Sequence, residues 1–546
     1  MRYTAHLDTF ALDRLPPTEE QPEFLFDLPE LRFPDRLNCA EDLLDRWVDA
    51  GEGNRPCIIS PNVAWSYREL QSQANRVANV LVREMKLVPG NRVLLRGTNS
   101  PMLAAAWFGV IKAGGIAVGT MPLLRARELR QIVEKAQVTH ALCEEGLAQE
   151  LRMAMGDAPQ LSQVRYYGGS NPDGLEAAMA AQPDDFTNVP TASDDISMIA
   201  FTSGTTGSPK GTMHFHRDVL AACACWPPHV LKAEPQDRFI GSPPLAFTFG
   251  LGGLLLFPMR IGASTILLPK AGPSELLEAI PRFGATILFT APTSYRSMAQ
   301  EAALKRLTTN LGGTLRKCVS AGEALPAATR DLWKAQTGIE LIDGIGATEM
   351  LHIFVSADEL EARPGATGKA VPGYVACVMD RDGRPLPPGE IGQLAVKGPT
   401  GCRYLDDPRQ AQYVRQGWNY TGDAYLADED GYLYCQGRMD DMIISSGYNI
   451  GAYEVEEALS QHPAVAECVV VGAPDESRGQ IVKAFVVLRA GGGSERLVGE
   501  LQEFVKASIA PYKYPRAIEF LPSLPRTETG KVQRFQLRDG GRPVAK

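Results

Sequence analysis

"FTSGTTGSPKG", Phe201 to Gly211, is the stretch that decides how this chain is read. Its eleven positions hold three glycines, five hydroxyl residues, one proline and one lysine. Glycine and proline interrupt helices and strands alike, so the run predicts a loop of free backbone N–H groups and hydroxyls with one cation, Lys210. That combination suits a polyphosphate. It is not a P-loop, because Lys210 follows Pro209 and no Gly-Lys pair occurs in it. A dinucleotide fingerprint fails as well: GIGATE (344–349) carries Glu349 where the third glycine belongs. A bare carboxylate there repels a pyrophosphate unless a divalent cation bridges the two, which makes Glu349 a candidate Mg²⁺ ligand.

Around these loops, apolar runs bounded by turn signals alternate with amphipathic stretches. Strands are predicted at Arg92–Arg96, Gly115–Gly119, Ile196–Phe201, Ser264–Leu268, Thr286–Phe289, Leu315–Ser320 and Glu340–Asp343. Helices are predicted at Tyr67–Glu84, Met102–Ala113, Glu128–Ala136 and Ser274–Arg282. This alternation implies parallel α/β layers. From Gly368 to Tyr434 short runs separated by DRDG, PPGE and DEDG turns imply an antiparallel β subdomain. A polar GRMDD (437–441) then precedes a new αβ pattern, and a small C-terminal α+β domain is expected. The 546 residues thus divide into 1–437, a hinge at 438–441, and 442–546.

With 44% hydrophobic and 22% charged residues the chain is globular in composition, and a net charge of −9 with mixed signs argues against nucleic acid or an anionic membrane as main partner. The apolar stretch Met102–Thr120 is interrupted by Lys112 and reads as a helix and a strand, not a membrane span. The N-terminus lacks an apolar signal region, and ten cysteines without a CxxC pair suit free thiols in the cytoplasm. Cys223 and Cys225 read as half-buried thiols. His214 and His216 have no third ligand nearby in sequence, so a non-metal role is expected for them.

Six motifs stand in one order: TSGTTGSPKG (202–211), SAGEAL (320–325), GIGATE (344–349), YTGD (420–423), GRMDDMI (437–443) and PRTETGK (525–531). Together they closely resemble the acyl- and aryl-CoA synthetases of the adenylate-forming superfamily, from about Ser66 to about Arg534. GIGATEMLHIF is most similar to the benzoate- and 2-aminobenzoate-CoA ligase branch. The resemblance implies two steps: a carboxylate attacks the α-phosphorus of ATP, and the thiol of coenzyme A then displaces AMP from the acyl-adenylate. A stand-alone enzyme loading a separate carrier protein remains the alternative.

By the same resemblance Thr202, Ser203, Gly204, Thr205, Thr206, Gly207 and Lys210 wrap the outer phosphates. Glu349 takes Mg²⁺, with Thr348 near the α-phosphate. Ser320, Ala321, Gly322, Glu323, Asp343, Gly344, Ile345 and Gly346 border the adenine. Ile345 stands where many relatives carry an aromatic residue, so an aliphatic face is expected there. Asp423 and Arg438 serve the ribose, and Lys531 the reacting carboxylate and α-phosphate. Asp440 is the expected hinge, about which rotation brings Gly447 to the pantetheine arm. Ala246, Phe247, Phe249, Ser320, Gly344, Gly346, Leu351 and His352 are expected to line the acid pocket, the glycines giving a flat ring room. Expected partners are an aromatic carboxylic acid, ATP and coenzyme A, with homodimerisation left open.

Overall fold

The computed structural model describes residues 3–202, 209–305, 313–445, 448–475, 479–526 and 532–538. Ser203, Gly204, Thr205, Thr206, Gly207, Gly447 and Lys531 lie outside the described residues, as does the side chain of Asp440.

Capping and apolar periodicity place the helices close to where the sequence puts them. Ser66 and Glu69 form a capping box that opens Tyr67–Asn79, and the helix continues in wider turns through Val80–Glu84. Pro101–Lys112 is buried along nearly its whole length. Lys112, which breaks the apolar run in sequence, is itself buried: its ammonium lies 2.6 Å from both oxygens of Asp45.

Among the described residues there are four sheets. A six-stranded sheet runs in the order Gln163–Tyr167, His140–Glu144, Arg92–Arg96, Ile116–Thr120, Ile196–Thr202, Lys210–Phe215. All its pairs are parallel except the last. The second sheet has nine strands, of which six are mutually parallel: Leu341–Gly346, Lys317–Ser320, Ile287–Thr290, Arg238–Gly241, Ser264–Ile266 and Pro56–Ile59. Near-continuous hydrophobic strands of this kind are buried on both faces by helices. The main core accordingly joins the helices Tyr67–Asn79, Pro101–Lys112 and His216–Trp226 to both sheets.

An antiparallel five-stranded sheet holds Val375–Met379, Gly392–Lys397, Trp418–Ala427, Val414–Arg415 and Leu433–Arg438. The β texture expected from Gly368 does not all belong to it, because Lys369–Ala370 pairs with Ile353–Ser356 on the edge of the nine-stranded sheet. The C-terminal unit packs Ala452–Ser460 and Glu495–Ser508 on a sheet led by Val465–Asp475 and Gly479–Leu488, around its own core.

Two further sequence readings change. The stretch Phe201–Gly211 is not loop throughout: Thr202 ends one strand, Lys210 begins the next, and the two are register partners. The glycine-rich residues therefore join the ends of an antiparallel pair, which pins Lys210 to the sheet. Cys223 and Cys225 are fully rather than half buried, and all ten cysteines are free.

Alongside Lys210–Phe215 runs a short strap, 403–405. Met213 N–H donates to the Arg403 carbonyl at 2.8 Å, and Leu405 N–H to that of Gly211 at 2.8 Å. Arg403 is wholly buried, 2.7 Å from an equally buried Asp218, between the rings of Phe24 and Phe215. Breaking a buried pair on one side leaves an uncompensated charge. Arg403→Leu should destabilise the protein by about 3–5 kcal/mol, read as an earlier first transition in urea. Pairing it with Asp218→Leu should recover much of the loss.

Candidate functional site

The six parallel strands of the large sheet end along one edge, and polar residues line it. In register across neighbouring strands stand Thr290, Ser320 and Asp343. Ser242, which follows Arg238–Gly241, shares a 2.6 Å hydroxyl contact with Thr290. Carboxyl ends of parallel strands are the usual place for a ligand in such folds. Ser320 Oγ and Asp343 Oδ1 are buried without a hydrogen-bond partner, as is Thr202 Oγ1 at the mouth of the glycine-rich loop. Buried polar atoms are normally paired, so the neighbouring orphans Ser320 and Asp343 point to a polar ligand. Burial pushes the Asp343 carboxyl up to about 7, with Arg330 pulling it the other way. Ile345 is half-buried at this edge and offers the expected aliphatic surface.

Glu349 sits on the short turn Thr348–Met350 that follows the strand Leu341–Gly346, and is 7% exposed. Lys210 lies 3.6 Å from its carboxylate. Lys210 also donates to the hydroxyl of Tyr404 at 3.0 Å, and that hydroxyl donates to Glu349. The lysine expected to reach outward to phosphates thus rests here on the carboxylate expected to hold the metal. Burial, then the Glu349 charge, raise the Tyr404 phenol well above its ordinary range, so it stays a donor. His214 is fully buried, and burial lowers its imidazole to about 4. Its Nε2 faces the Thr348 carbonyl at 2.8 Å and must therefore carry the proton. His214 thus braces the Glu349 turn, while His216 Nδ1 accepts from Cys39 N–H at 3.2 Å.

Asp423 and Arg438 are register partners on adjacent strands and form a 2.9 Å ion pair, with Arg438 donating also to the Thr421 carbonyl at 3.0 Å. Enclosure raises the Asp423 carboxyl. Arg438 opposes that, and the nearby Glu349 charge adds to it. Lys210 and Glu349 thus meet directly, and Asp423 lies near enough to Glu349 for the two charges to interact.

On the other side of the same turn lies an aromatic cage. His352 is buried against Trp226 at 5.7 Å, Phe249 at 5.8 Å and edge-on to Phe257 at 4.5 Å; Phe289 contacts Phe249 at 5.8 Å. Burial pushes its imidazole down to about 3, so it is neutral. The expectation that Gly344 and Gly346 make room for a ring is not what their surroundings require. A Cβ at Gly344 would meet the Ile353 side chain at 2.9 Å, and one at Gly346 the His352 carbonyl at 2.8 Å. Both glycines are needed by the partner strand. The close approach that matters to the cage is at Gly252, where a Cβ would fall 2.3 Å from the His352 ring. Ala246 lines a small apolar cavity of about 20 Å³ with Leu245, Leu251 and Trp107, while Phe247 is half-buried beside it in sequence. Trp226, Phe257, Phe289 and Tyr404 were not singled out from sequence, because each comes from a separate element and none lies in a loop-like motif; His214 was, but without its partner.

Leu351 connects the two halves at φ +69°, ψ −41°, a strained conformation for a buried leucine that costs on the order of 1–3 kcal/mol. It turns the chain so that Glu349 meets Lys210 and, three residues later, His352 meets the cage.

At the domain boundary Arg438 is tied to the large domain through Asp423 and Thr421. Asp441 pairs instead with Arg534 at 3.5 Å and with Arg538, both in the C-terminal helix. Only 439 and 440 lie between these two anchors. Arg526 and Val532 form an antiparallel bridge. Arg526 is held 2.8 Å from Glu467, next to Ala466, whose carbonyl accepts from Arg296 of the large domain at 3.1 Å.

The chain belongs to the AMP-binding enzyme family, whose model matches residues 44–403, and the AMP-binding enzyme C-terminal domain matches 454–531. It is an ATP-dependent acyl- or aryl-CoA ligase of the adenylate-forming class. It is 35% identical over 521 residues to the benzoate–CoA ligase of Thauera aromatica, covering 93% of this chain and 97% of that one. It is 32% identical to the human mitochondrial acyl-coenzyme A synthetase ACSM3, covering 93% and 90%. The anthranilate CoA ligase AuaEII, solved with anthranoyl-AMP, superposes with a TM-score of 0.88 at 36% identity, covering 94% of this chain and 98% of that one. Among the described residues no helix is long and apolar enough to cross a membrane.

Asp343 binds its proton more tightly folded than at its ordinary value of 3.8, so stability present at low pH is lost as pH rises towards about 7. Asp343→Asn should therefore stabilise the unliganded protein at pH 8, by at most roughly 4 kcal/mol. The gain should vanish by pH 4, as thermal midpoints at the two pH values would record.

Proposed function

We propose that the protein activates an aromatic carboxylic acid, 2-aminobenzoate or benzoate, as its adenylate and transfers the aryl group to coenzyme A. The observation that carries this reading is the turn Thr348–His352, which joins a nucleotide-type cluster at Glu349 to an aromatic cage at His352 within four residues. An acid seated against the cage would present its carboxylate towards the phosphates, and positioning of that kind removes much of the barrier to a bimolecular reaction.

In the first step the substrate carboxylate attacks the α-phosphorus, and the bond to pyrophosphate breaks. Thr202 and the loop 203–207 would hold the outer phosphates, with Lys210 leaving Glu349 to join them. Ser320 and Asp343, with the backbone from Ala321 to Glu323 and Ile345, would border the base, and Asp423 the ribose hydroxyls. No group of three or more His, Cys, Asp or Glu side chains converges among the described residues. Glu349 would thus supply one ligand to Mg²⁺ and phosphate oxygens and water the others, the usual arrangement for that ion. Such an ion supplies neutralisation where an anion must approach a polyanion. Lys531 would stabilise charge moving between the carboxylate and α-phosphate oxygens, which is worth most in the transition state.

In the second step the thiol sulfur attacks the acyl carbonyl and AMP leaves. Lys531 and the thiol need the same approach, so the C-terminal domain must turn. Asp440, between anchors on either side, is the proposed pivot, and Gly447 would border the arriving pantetheine.

AMP release with coenzyme A, measured over a panel of ring-substituted benzoates and straight-chain acids, tests the substrate class. Benzoate or 2-aminobenzoate should exceed hexanoate and octanoate at least roughly tenfold in kcat/KM, a step of about 1.4 kcal/mol. Preference for the straight-chain acids would reject the aromatic reading. Lys531→Ala should lower acid-dependent pyrophosphate exchange by about 10²–10³-fold and leave thioester formation from supplied aryl-AMP within a few-fold. Equal loss in both half-reactions would count against a role for Lys531 specific to the first step.

A further inference from the structure

We propose that Tyr404 is a positioning residue for Mg·ATP: its hydroxyl fixes the Glu349 carboxylate in the orientation that receives the metal, and gives Lys210 a resting place until phosphates arrive. This rests on the nucleotide reading of Glu349 given above.

Tyr404 is 1% exposed and is held in place without its hydroxyl. Its N–H donates to Gln410 Oε1 at 2.9 Å, and its backbone forms an antiparallel bridge with Thr212. The next residue, Leu405, is tied to Gly211, and the preceding one is the buried Arg403. Its ring meets Tyr413 edge-on at 5.8 Å. Among the described residues, the hydroxyl joins the two charged groups of the site, donating to Glu349 and accepting from Lys210, with the Cys402 thiol also within reach. An oxygen that bridges two site groups, on a ring already anchored by scaffold, is arranged to orient those groups.

The arrangement has a direction. A carboxylate oxygen bound by a neutral phenol keeps its full charge, and its second oxygen is left to face a cation. Lys210 lies 3.6 Å from Glu349, at the longer end of ion-pair contact, and 5.0 Å from the centroid of the Tyr404 ring. The ammonium can therefore exchange a carboxylate for phosphate oxygens, while the Tyr404–Glu349 hydrogen bond stays intact. Mg²⁺ alone should bind weakly, since Lys210 already neutralises Glu349; Mg²⁺ carried in on the triphosphate brings the anionic groups that draw Lys210 away.

Calorimetric titration of the full-length protein with ATP in EDTA, and with ATP in excess Mg²⁺, tests this. Removing a hydrogen bond to a charged group commonly costs about tenfold or more in binding. Tyr404→Phe should weaken Mg·ATP roughly tenfold, change metal-free ATP less than about twofold, and raise the Mg²⁺ concentration for half-maximal pyrophosphate exchange by a similar factor. Made in a Glu349→Gln background, the same substitution should add less than about twofold, because coupled groups are not additive. Lys210→Met alone should weaken ATP with and without metal.

Equal weakening of both ATP forms by Tyr404→Phe would overturn the proposal. So would no change in either, an undiminished effect in Glu349→Gln, or a thermal midpoint that collapses without metal-specific loss. A wild-type protein that binds ATP equally well with and without Mg²⁺ would instead reject the metal reading of Glu349 itself.

Discussion

A carboxylate that is almost withdrawn from water must be met by positive charge and hydrogen-bond donors, and the cleft is organised around that requirement at Glu349. Lys210 and Tyr404 satisfy it, and they come from two distant parts of the sequence. Lys210 is positioned because the glycine-rich stretch ends in a strand, and Tyr404 because its strap pairs with that same strand. The buried Arg403–Asp218 pair locks the strap, and His214 holds the turn that carries Glu349 from behind. The charge at Glu349 is thus met through a hairpin and a strap, the strap held by a buried ion pair.

The same turn separates two surroundings. In the reaction proposed above an aromatic acid and a polyanion come together, and the two would need opposite ones. Here Glu349 faces charged partners and His352 faces rings, with the left-handed Leu351 between them. Backbone strain at such a position persists only because the adjoining strand and cage hold both sides. Neutral His352 completes an uncharged wall, a surrounding in which the flat face of an aromatic ring is at home.

At the junction of the two units Arg438 donates to Asp423 and the Thr421 carbonyl, and Asp441 pairs with Arg534 and Arg538 of the C-terminal helix. Contacts also cross the junction: Arg296 donates to the Ala466 carbonyl, Ala327 N–H donates to Glu457, and the helix Ala452–Ser460 packs beside Leu433–Arg438. The rotation proposed above would have to remake them.

Much of this was legible in the chain itself. Strands such as Arg92–Arg96 and helices such as Pro101–Lys112 follow from local periodicity and capping, and the rejection of a P-loop follows from one proline before Lys210. The ordered motifs, through the family they resemble, likewise drew attention to Glu349, Asp423 and Arg438. What no local pattern contained was which distant side chains meet them. Tyr404 lies 55 residues beyond Glu349 in an unremarkable RYLDDP, and Trp226, Phe249 and Phe257 enclose His352 from separate elements. Those pairings exist only once strands are ordered and paired, because a buried charge or ring selects its partner across space, and the sequence records the residue without the neighbour.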